Sequence, residues 1–249
     1  MTDNTDLLRE IATKIKSASK VGVLTGAGIS AESGVPTFRD PGGLWDKYRP
    51  EDLANENAFR SDPELVSNWY HFRRQKILSV NPNPGHLALV ELEKIVTEFL
   101  LVTQNVDRLH QRAGQKNVIE VHGSIVEQRC IECGTPADDE QMKITEGIVN
   151  CHKCEGLMRP GVVWFGESLP QKAISDAFEY AQHSEVFLVV GTSGVVYPAA
   201  QVPIEALNSG ASVFEFNLEE TALTSYMSQS VFGPSGETLP KLIEILKKL

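Results

Sequence analysis

The sequence lacks any apolar run that is long enough to cross a bilayer. Its longest uninterrupted apolar run, Val186–Val190, is far shorter than the about 20 residues of a transmembrane helix. The first residues also lack the pattern of a targeting peptide, because Leu8, Ile11 and Ile15 lie at helical spacing among acidic residues. These absences predict a cytoplasmic globular protein that does not act in a membrane.

Basic residues are in short supply. The chain has 249 residues, with 23 lysines and arginines against 33 aspartates and glutamates, and its formal net charge is −10. An acidic surface repels phosphate backbones, so the composition argues against direct nucleic-acid binding. The same charge attracts basic protein segments such as lysine-rich tails. The length allows one large domain with a small insert.

Cysteine is also scarce, and its four residues form two close pairs. Cys130 and Cys133 make one Cys-x2-Cys motif, and Cys151 and Cys154 make the second after 17 intervening residues. In a chain without a signal peptide this pattern favours metal binding over disulfides. The spacing is that of a zinc ribbon, in which four thiolates complete a tetrahedral sphere and leave no position for water. We therefore predict one structural Zn2+ ion.

Two alternatives to this zinc site stay open. One is a pair of redox-active dithiols, although neither motif opens a helix after a strand as a thioredoxin-like motif does. The other is that His152, which lies inside the second motif, replaces a thiolate. We interpret His152 as a solvated loop residue.

Short apolar segments alternate with helical segments along most of the chain, which predicts an α/β fold with a parallel sheet buried on both faces. The predicted strands are Val21–Thr25, Phe99–Thr103, Val118–Val121, Val186–Val190 and Ser212–Phe216. The predicted helices are Asp6–Lys16, His86–Lys94, Ala173–Gln182, Pro198–Leu207 and Pro240–Lys248. We expect a doubly wound, Rossmann-like domain.

Two segments interrupt this alternation and predict a smaller domain. Residues 41–83 are polar with several aromatics, and residues 127–158 contain the cysteines and little apolar surface. We expect the Rossmann-like domain to comprise residues 1–40, 84–126 and 159–249. The smaller domain then consists of a helical and loop module, 41–83, and a zinc-ribbon module, 127–158.

Polar loops follow all five predicted strands. In open parallel sheets, ligands bind beyond the carboxyl ends of the strands, so these loops predict a large polar ligand site at one edge. The alternative is that they are ordinary turns, because Gly, Asn and Asp dominate turns. The loops are Gly26–Ser30, Gln104–Asp107, His122–Ser124, Gly191–Ser193 and Asn217–Glu219.

The first of these loops has the spacing of a dinucleotide-binding turn. Gly26, Gly28 and Ala31 match G-x-G-x-x-G/A, in which the glycines let the backbone N–H groups approach a pyrophosphate. However, Gly34 and Pro36 cut the following helix short. No acidic residue ends a second strand about 20 residues further on, as an ordinary Rossmann site requires. The pattern therefore argues against a simple dehydrogenase.

The sequence resembles the sirtuin family over almost its whole length. The resemblance rests on the four cysteines and on Gly26–Ser30, Gly34–Arg39, Thr103–Asp107, His122-Gly123, Arg159–Glu167 and Gly191–Ser193. It implies an NAD-dependent enzyme that removes acyl groups from protein lysines. The products of such an enzyme are free lysine, nicotinamide and O-acyl-ADP-ribose.

The resemblance also assigns roles at the cofactor site. His122 is implied to be the base that activates a ribose hydroxyl, and an imidazole suits this because it titrates near neutral pH. The alternative is a histidine hydrogen-bonded for structure. Asn105, also a catalytic candidate, and Asp107 are implied to shape the nicotinamide pocket. The other implied cofactor-binding residues are Gly26, Ala27, Gly28, Ser30, Phe38, Arg39, Gln104, Gly191, Thr192, Ser193, Asn217, Leu218, Glu219 and Ser235.

A further segment resembles the sirtuin region that receives the substrate peptide as an added strand. Main-chain pairing of this kind accepts many sequences. The alternative is a buried apolar strand. The implied substrate-binding residues are Val162, Val163, Phe165 and Gly166.

Tyr70 and Arg73 match the pair that marks the desuccinylase and demalonylase branch of the sirtuins. Residues three apart on a helix share a face, and a terminal carboxylate on an acyl chain favours a charge-assisted partner. The alternative is that Arg73 is a solvated surface charge. Our hypothesis is succinyl and malonyl removal alongside deacetylation.

Two other functions compete with deacylation. ADP-ribosyl transfer to a protein side chain would use the same NAD site. A non-enzymatic module would use the zinc ribbon to bind nucleic acid, but acidic residues outnumber basic ones within 127–158, which disfavours it.

Overall fold

The main element of the fold is a six-stranded parallel sheet. The computed structural model describes residues 4–35 and 50–249. The strands are β1 Lys20–Thr25, β2 Glu98–Thr103, β3 Val118–Glu120, β4 Gly123–Cys130, β5 Met158–Val162, β6 Val186–Val190, β7 Ser212–Asn217 and β8 Gln229–Phe232. The helices are α1 Thr5–Ser17, α2 Gly28–Ala31, α3 Pro50–Leu53, α4 Glu56–Ser61, α5 Pro63–Ser79, α6 Pro84–Ile95, α7 Leu109–Ala113, α8 Asp139–Lys143, α9 Gln171–Gln182, α10 Val202–Asn208 and α11 Ser235–Lys248.

The order of the large sheet is β3-β2-β1-β6-β7-β8, and all of its neighbouring strands are parallel. The chain therefore runs outward from β1 on one side, returns beside β1 as β6, and runs outward on the other side. This is the doubly wound order, with its crevice between β1 and β6. The predicted Rossmann-like fold is confirmed.

Apolar side chains cover both faces of this sheet, as a buried parallel sheet requires. One face packs against α1, α6 and α11 through residues such as Ile11, Leu89 and Leu242. The other face packs against α9 and α10 through residues such as Ala177 and Val202. The six-stranded sheet is thus the central layer between two layers of helices.

One strand of the large sheet was not predicted, and the bounds of two predicted helices were wrong. The edge strand β8 has only four residues, two of them polar, so its apolar pattern is too short to detect. Helix α11 begins at Ser235 rather than Pro240, because the Glu32 carboxylate accepts from the Gly236 N–H at 2.8 Å. A carboxylate at this end also suits the helix dipole. The segment predicted as one helix from Pro198 divides into a 3-10 turn and α10.

The smaller sheet is the antiparallel pair of β4 and β5. Helix α5 contacts this region, and the residue before it, Asp62, caps its start. The Asp62 side chain accepts from the Leu65 N–H at 3.0 Å, and Pro63 occupies the first helical position. Arg74 of α5 donates to the carbonyl oxygen of Ile144 at 2.7 Å. The Asn68 side chain accepts from the Gly147 N–H at 2.6 Å. Helix α5 and the cysteine-containing segment therefore pack as neighbours.

The small sheet crosses both predicted limits of the zinc module. Residues 126 and 127 both lie in β4, and residues 158 and 159 both lie in β5.

Among the described residues, no helix is both long and apolar enough to span a membrane.

Two buried histidines lie beneath the carboxyl end of β1. His86 belongs to a capping box with Asn83 at the start of α6, and its ring lies 4.8 Å from the ring of His110. His110 in turn is 3.0 Å from the Thr25 hydroxyl. Burial lowers the pKa of His86 to about 4 and the pKa of His110 well below its ordinary value. Both rings are therefore neutral at pH 7.

These histidines predict sensitivity of the fold to acid. Below the ordinary histidine pKa of 6.5 the unfolded chain binds protons that the folded chain does not, so the free energy of unfolding falls as pH falls. Each histidine contributes about 1.4 kcal/mol per pH unit until its folded pKa is reached. We expect His110→Gln to reduce this slope, measured by urea unfolding between about pH 7 and about pH 5.

Loss of metal at low pH would affect the wild-type protein and the variant alike. A difference between their slopes of unfolding free energy against pH therefore reports on His110. Equal slopes for the wild-type protein and the variant would contradict the assignment of His110 as a buried neutral group.

Candidate active site and metal centre

The candidate cofactor site begins where the turns after β1 and β6 meet. The Gly26 N–H donates to the Val190 carbonyl at 3.0 Å, and the Gly28 N–H donates to the Gly191 carbonyl at 2.8 Å. A Cβ atom on Gly28 would lie 2.8 Å from the Gly191 Cα, and Gly191 has φ of +59°. Both positions therefore require glycine. The two turns thus meet through bare backbone, which is the arrangement of a dinucleotide-binding turn.

Beneath these turns lies a buried polar floor formed by Asn105, Ser30 and Asp107. The Asn105 side-chain amide donates to the Gly26 carbonyl at 3.0 Å and to the Ser30 hydroxyl at 3.1 Å. The Ser30 hydroxyl donates to the Asp107 carboxylate at 2.7 Å. Burial raises the pKa of Asp107, and hydrogen bonds from the Leu109 N–H and Ser30 oppose the rise. The sequence-predicted residues of two loops thus meet in one network.

His122 has the protonation state that a base requires. Its Nδ1 lies 3.0 Å from the Gln104 carbonyl oxygen. Because a carbonyl only accepts, Nδ1 carries the hydrogen of the neutral ring and Nε2 is left with a lone pair. Burial lowers the pKa of His122, although the hydrogen bond to Gln104 raises it. The neutral form therefore dominates at pH 7.

The other predicted cofactor loops are tied to each other by side-chain hydrogen bonds. The Gln104 amide donates to the Thr192 hydroxyl at 2.9 Å, and the Asn217 amide donates to the Thr192 carbonyl at 2.8 Å. Ala27 precedes α2, and Ser193 follows Thr192 in a partly buried turn. The structure therefore brings the carboxyl ends of β1, β2, β6 and β7 together.

The remaining predicted cofactor residues are exposed, engaged elsewhere or outside the described residues. Leu218 is 65% exposed, and Glu219 is also exposed. The Ser235 hydroxyl donates to Glu32 at 3.0 Å, so it already serves the start of α11. Phe38 and Arg39 lie outside the described residues.

Sequence reasoning missed Glu215, which orders the loop after β7. Its side chain is fully buried and accepts hydrogen bonds from Thr221 and Thr224 at 2.6 Å each and from Ser230 at 2.9 Å. The loop that these contacts fix follows Asn217 directly. A carboxylate inside an otherwise apolar strand was the available signal.

The candidate peptide segment lies beside the candidate base. The Val163 N–H donates to the His122 carbonyl at 2.8 Å. Val162 is buried at the end of β5, whereas Phe165 is 49% exposed. Gly166 follows with φ of +88°, a left-handed conformation that favours glycine. The segment thus combines an anchored start with an exposed tip.

Tyr70 and Arg73 lie on α5, and neither is a solvated side chain. The Tyr70 hydroxyl oxygen accepts from the Trp164 indole N–H at 3.0 Å. The Arg73 guanidinium carbon lies 4.7 Å from the centroid of the Trp69 ring, and the residue is half-buried. Burial lowers the pKa of Arg73, and Tyr70 opposes this. A phenol and a guanidinium therefore share one partly enclosed region.

The four cysteines converge to a geometry that fits one zinc ion. Their sulfur atoms all lie within 4.8 Å of one another. The Cys133 and Cys151 sulfurs are 3.7 Å apart and the Cys130 and Cys154 sulfurs are 3.5 Å apart. Tetrahedral thiolates at about 2.3 Å from zinc lie about 3.8 Å from each other, whereas a disulfide requires about 2.05 Å. The separations match metal ligands.

Backbone groups support these thiolates. The Glu132 N–H donates to the Cys130 sulfur and the Lys153 N–H donates to the Cys151 sulfur, both at 3.4 Å. Such donors stabilise the negative charge of metal-bound thiolates. The His152 ring instead contacts Gln141 at 3.1 Å, so it is engaged outside the sulfur cluster.

Comparison with known proteins shows which family the chain resembles. The Sir2 family model matches residues 26–198. NAD-dependent protein deacylase 2 of Pyrobaculum aerophilum is 51% identical over 238 residues, which cover 96% of this chain and 95% of that protein. The NAD-dependent protein deacylase of Pyrococcus furiosus is 47% identical, with 98% of this chain and 99% of that protein covered.

Solved structures extend the agreement to the fold. The crystal structure of a Sir2 homologue–NAD complex superposes with a TM-score of 0.91 at 43% identity, covering 100% of this chain and 95% of that chain. A Sir2 complex with a deacetylated p53 peptide and 3′-O-acetyl ADP-ribose gives a TM-score of 0.84 at 33% identity, covering 95% and 97%. Sequence and fold thus match over nearly the whole length, and the chain belongs to the Sir2 family.

Proposed function

We propose that the protein is an NAD-dependent protein-lysine deacylase that releases nicotinamide and O-acyl-ADP-ribose. The observation that carries this proposal is the placement of His122, whose Nδ1 is held by the Gln104 carbonyl and whose backbone carbonyl binds Val163. A neutral base therefore lies between the cofactor loops and the peptide segment. The names of the relatives and the ligands in their solved structures support the same reaction.

NAD, when bound, supplies the ribose carbon that the acyl oxygen of the substrate attacks as nicotinamide leaves. Gly26 and Gly28 carry no side chains, so the phosphates would be able to approach the backbone of this turn. Asn105 and Asp107 orient the nicotinamide carboxamide. Nε2 of His122 accepts a proton from a ribose hydroxyl, and the Gln104 carbonyl stabilises the imidazolium that forms.

The remaining assignments follow from this arrangement. Ala27, Ser30, Gln104, Thr192, Ser193 and Asn217 complete the cofactor site, with Leu218, Glu219 and Ser235 on its adenosine side. The half-exposed side chain of Phe165 supports contact of an acyl-lysine peptide with Val162–Gly166, the segment that receives it as an added strand. Reduced cysteines arranged as metal ligands support a cytoplasmic location.

The domain limits belong to the same proposal. The Rossmann-like domain comprises residues 1–40, 84–126 and 159–249, and the small domain comprises 41–83 and 127–158. The bonds from Arg74 to Ile144 and from Gly147 to Asn68 support grouping the last two modules. The strands β4 and β5 pass without interruption from one domain to the other.

The acyl groups include succinyl and malonyl as well as acetyl. Arg73 is half-buried on α5 beside Tyr70, and a partly desolvated guanidinium binds a carboxylate more strongly than an exposed one does. A terminal carboxylate on the acyl chain provides that partner. The same pocket accepts the smaller acetyl group without this contact.

The reaction is tested by product analysis. With NAD and a succinylated or acetylated lysine peptide, mass spectrometry is expected to show free-lysine peptide and O-acyl-ADP-ribose. We expect His122→Asn to lower turnover by about 10²–10⁴-fold, the usual contribution of a general base. The matched control His183→Asn changes an exposed histidine and should retain activity. An ADP-ribosylated peptide in place of these products would favour the competing transferase function.

The acyl preference is tested at Arg73. We expect Arg73→Met to lower kcat/KM for a succinyl-lysine peptide by about 10- to 100-fold, since a charge-assisted hydrogen bond is lost, and to affect the acetyl peptide less. Arg73→Lys should fall between, because lysine keeps the charge but not the planar fork. Equal losses of kcat/KM for the two peptides would show that Arg73 does not bind the carboxylate of the acyl chain.

The structural role of zinc is tested by metal removal. We expect one zinc per chain by elemental analysis, and we expect Cys133→Ser or chelation to lower the melting temperature by about 5–10 °C. Addition of zinc, but not magnesium, should restore the chelated protein. A zinc-free protein with an unchanged melting temperature would rule out this site.

A further inference from the structure

The indole of Trp164 connects the candidate peptide segment to the candidate acyl pocket. Its N–H donates to the Tyr70 hydroxyl oxygen at 3.0 Å, between residues 94 positions apart in the chain. Trp164 is 1% exposed and Tyr70 is 7% exposed. Because an indole N–H can only donate, the phenol oxygen is the acceptor. The direction of this hydrogen bond is therefore fixed.

Neighbouring groups hold the indole in this orientation. The Arg159 guanidinium carbon lies 3.3 Å from the centroid of the indole ring, and the Phe59 ring lies 5.3 Å away. Arg159 forms an ion pair with Glu167, whose carboxylate also accepts from the Trp164 backbone N–H at 2.8 Å. Both the backbone and the side chain of Trp164 are therefore held in place, and its indole N–H stays directed at the Tyr70 hydroxyl oxygen.

This hydrogen bond determines what the Tyr70 hydroxyl can do. A phenol that accepts from Trp164 keeps its own hydrogen for another acceptor, and Tyr70 makes no other hydrogen bond to the described residues. Burial raises the pKa of Tyr70, and Trp164 and Arg73 lower it by less. The phenol is therefore a neutral donor. A neutral donor beside a guanidinium is complementary to a carboxylate.

We propose that Trp164 is a positioning residue for acyl selectivity, because its N–H fixes the Tyr70 hydroxyl to donate, together with Arg73, to the terminal carboxylate of a dicarboxylic acyl-lysine substrate. The proposal rests on the carboxylate pocket proposed above. An acetyl group has no carboxylate, so loss of the Trp164 N–H bears on succinyl and malonyl substrates. A packing role for Trp164 would instead affect all acyl groups alike.

The first test removes the N–H and keeps an aromatic ring. For Trp164→Phe, kcat/KM is measured with a succinyl-lysine and an acetyl-lysine peptide of the same sequence. We expect the succinyl-to-acetyl ratio to fall by about three- to tenfold, the range of one neutral hydrogen bond, mainly through KM for the succinyl peptide. Trp164→Met, which also lacks a donor, replaces Trp164→Phe if that variant does not fold.

Phe59→Leu is the matched control. It disturbs the packing of the same indole but leaves the N–H in place, so it should lower the melting temperature and keep the ratio. A fall in the ratio for Phe59→Leu as large as that for Trp164→Phe would assign the effect to packing and overturn the proposal.

The second test is a double-mutant cycle with Tyr70→Phe. If Trp164 acts through the Tyr70 hydroxyl, Trp164→Phe causes no further fall in the ratio once that hydroxyl is absent. If Trp164→Phe and Tyr70→Phe lower the succinyl-to-acetyl ratio independently, so that their effects multiply, the proposal is overturned. It is also overturned if Trp164→Phe alone lowers kcat/KM equally for the two peptides.

The cycle also separates this proposal from the pocket on which it rests. If Arg73→Met and Tyr70→Phe both leave the ratio unchanged, the carboxylate pocket itself is wrong and the role of Trp164 falls with it. If those two variants lower the ratio and Trp164→Phe does not, the pocket stands and only the positioning role is refuted.

Discussion

The backbone contact between Gly28 and Gly191 is the constraint on which the rest of the site depends. It joins the turn after β1 to the turn after β6, the two neighbouring strands from which the sheet extends in opposite directions. Any side chain at either glycine would separate these turns. The same turn also holds the polar network beneath it. The Asn105 side chain donates to the Gly26 carbonyl, and the Ser30 hydroxyl donates to Asp107.

The fold was largely predictable because its signals are local. The central strands are continuous apolar runs bounded by small polar residues, and the two Cys-x2-Cys motifs carry their geometry in their spacing. Prediction failed where a tertiary contact overrides the local pattern. The start of α11 depends on Glu32, more than 200 residues away in the chain. The sequence around Pro240 therefore does not predict where the helix begins.

The sequence could name candidate residues for the site, but it could not predict the contacts between them. The resemblance to sirtuins supplied roles for His122 and for the Tyr70 and Arg73 pair. It did not supply the tautomer of His122, which follows from the position of the Gln104 carbonyl. Nor did it supply the partner of Tyr70, because that hydrogen bond joins a helix to a distant loop. Hydrogen-bond direction emerges only when the chain is folded.

The ribbon of β4 and β5 has a further consequence for how this chain tolerates change. At one end it begins directly after His122 and ends directly before Val163, and at the other it carries Cys130 opposite Met158. Side chains alternate between the faces of a strand, so one added residue in a regular part of either strand reverses every face beyond it. Insertions between the two Cys-x2-Cys motifs lengthen the far tip and leave both the cysteine spacing and the end beside His122 unchanged. Length variation should therefore be confined to that tip.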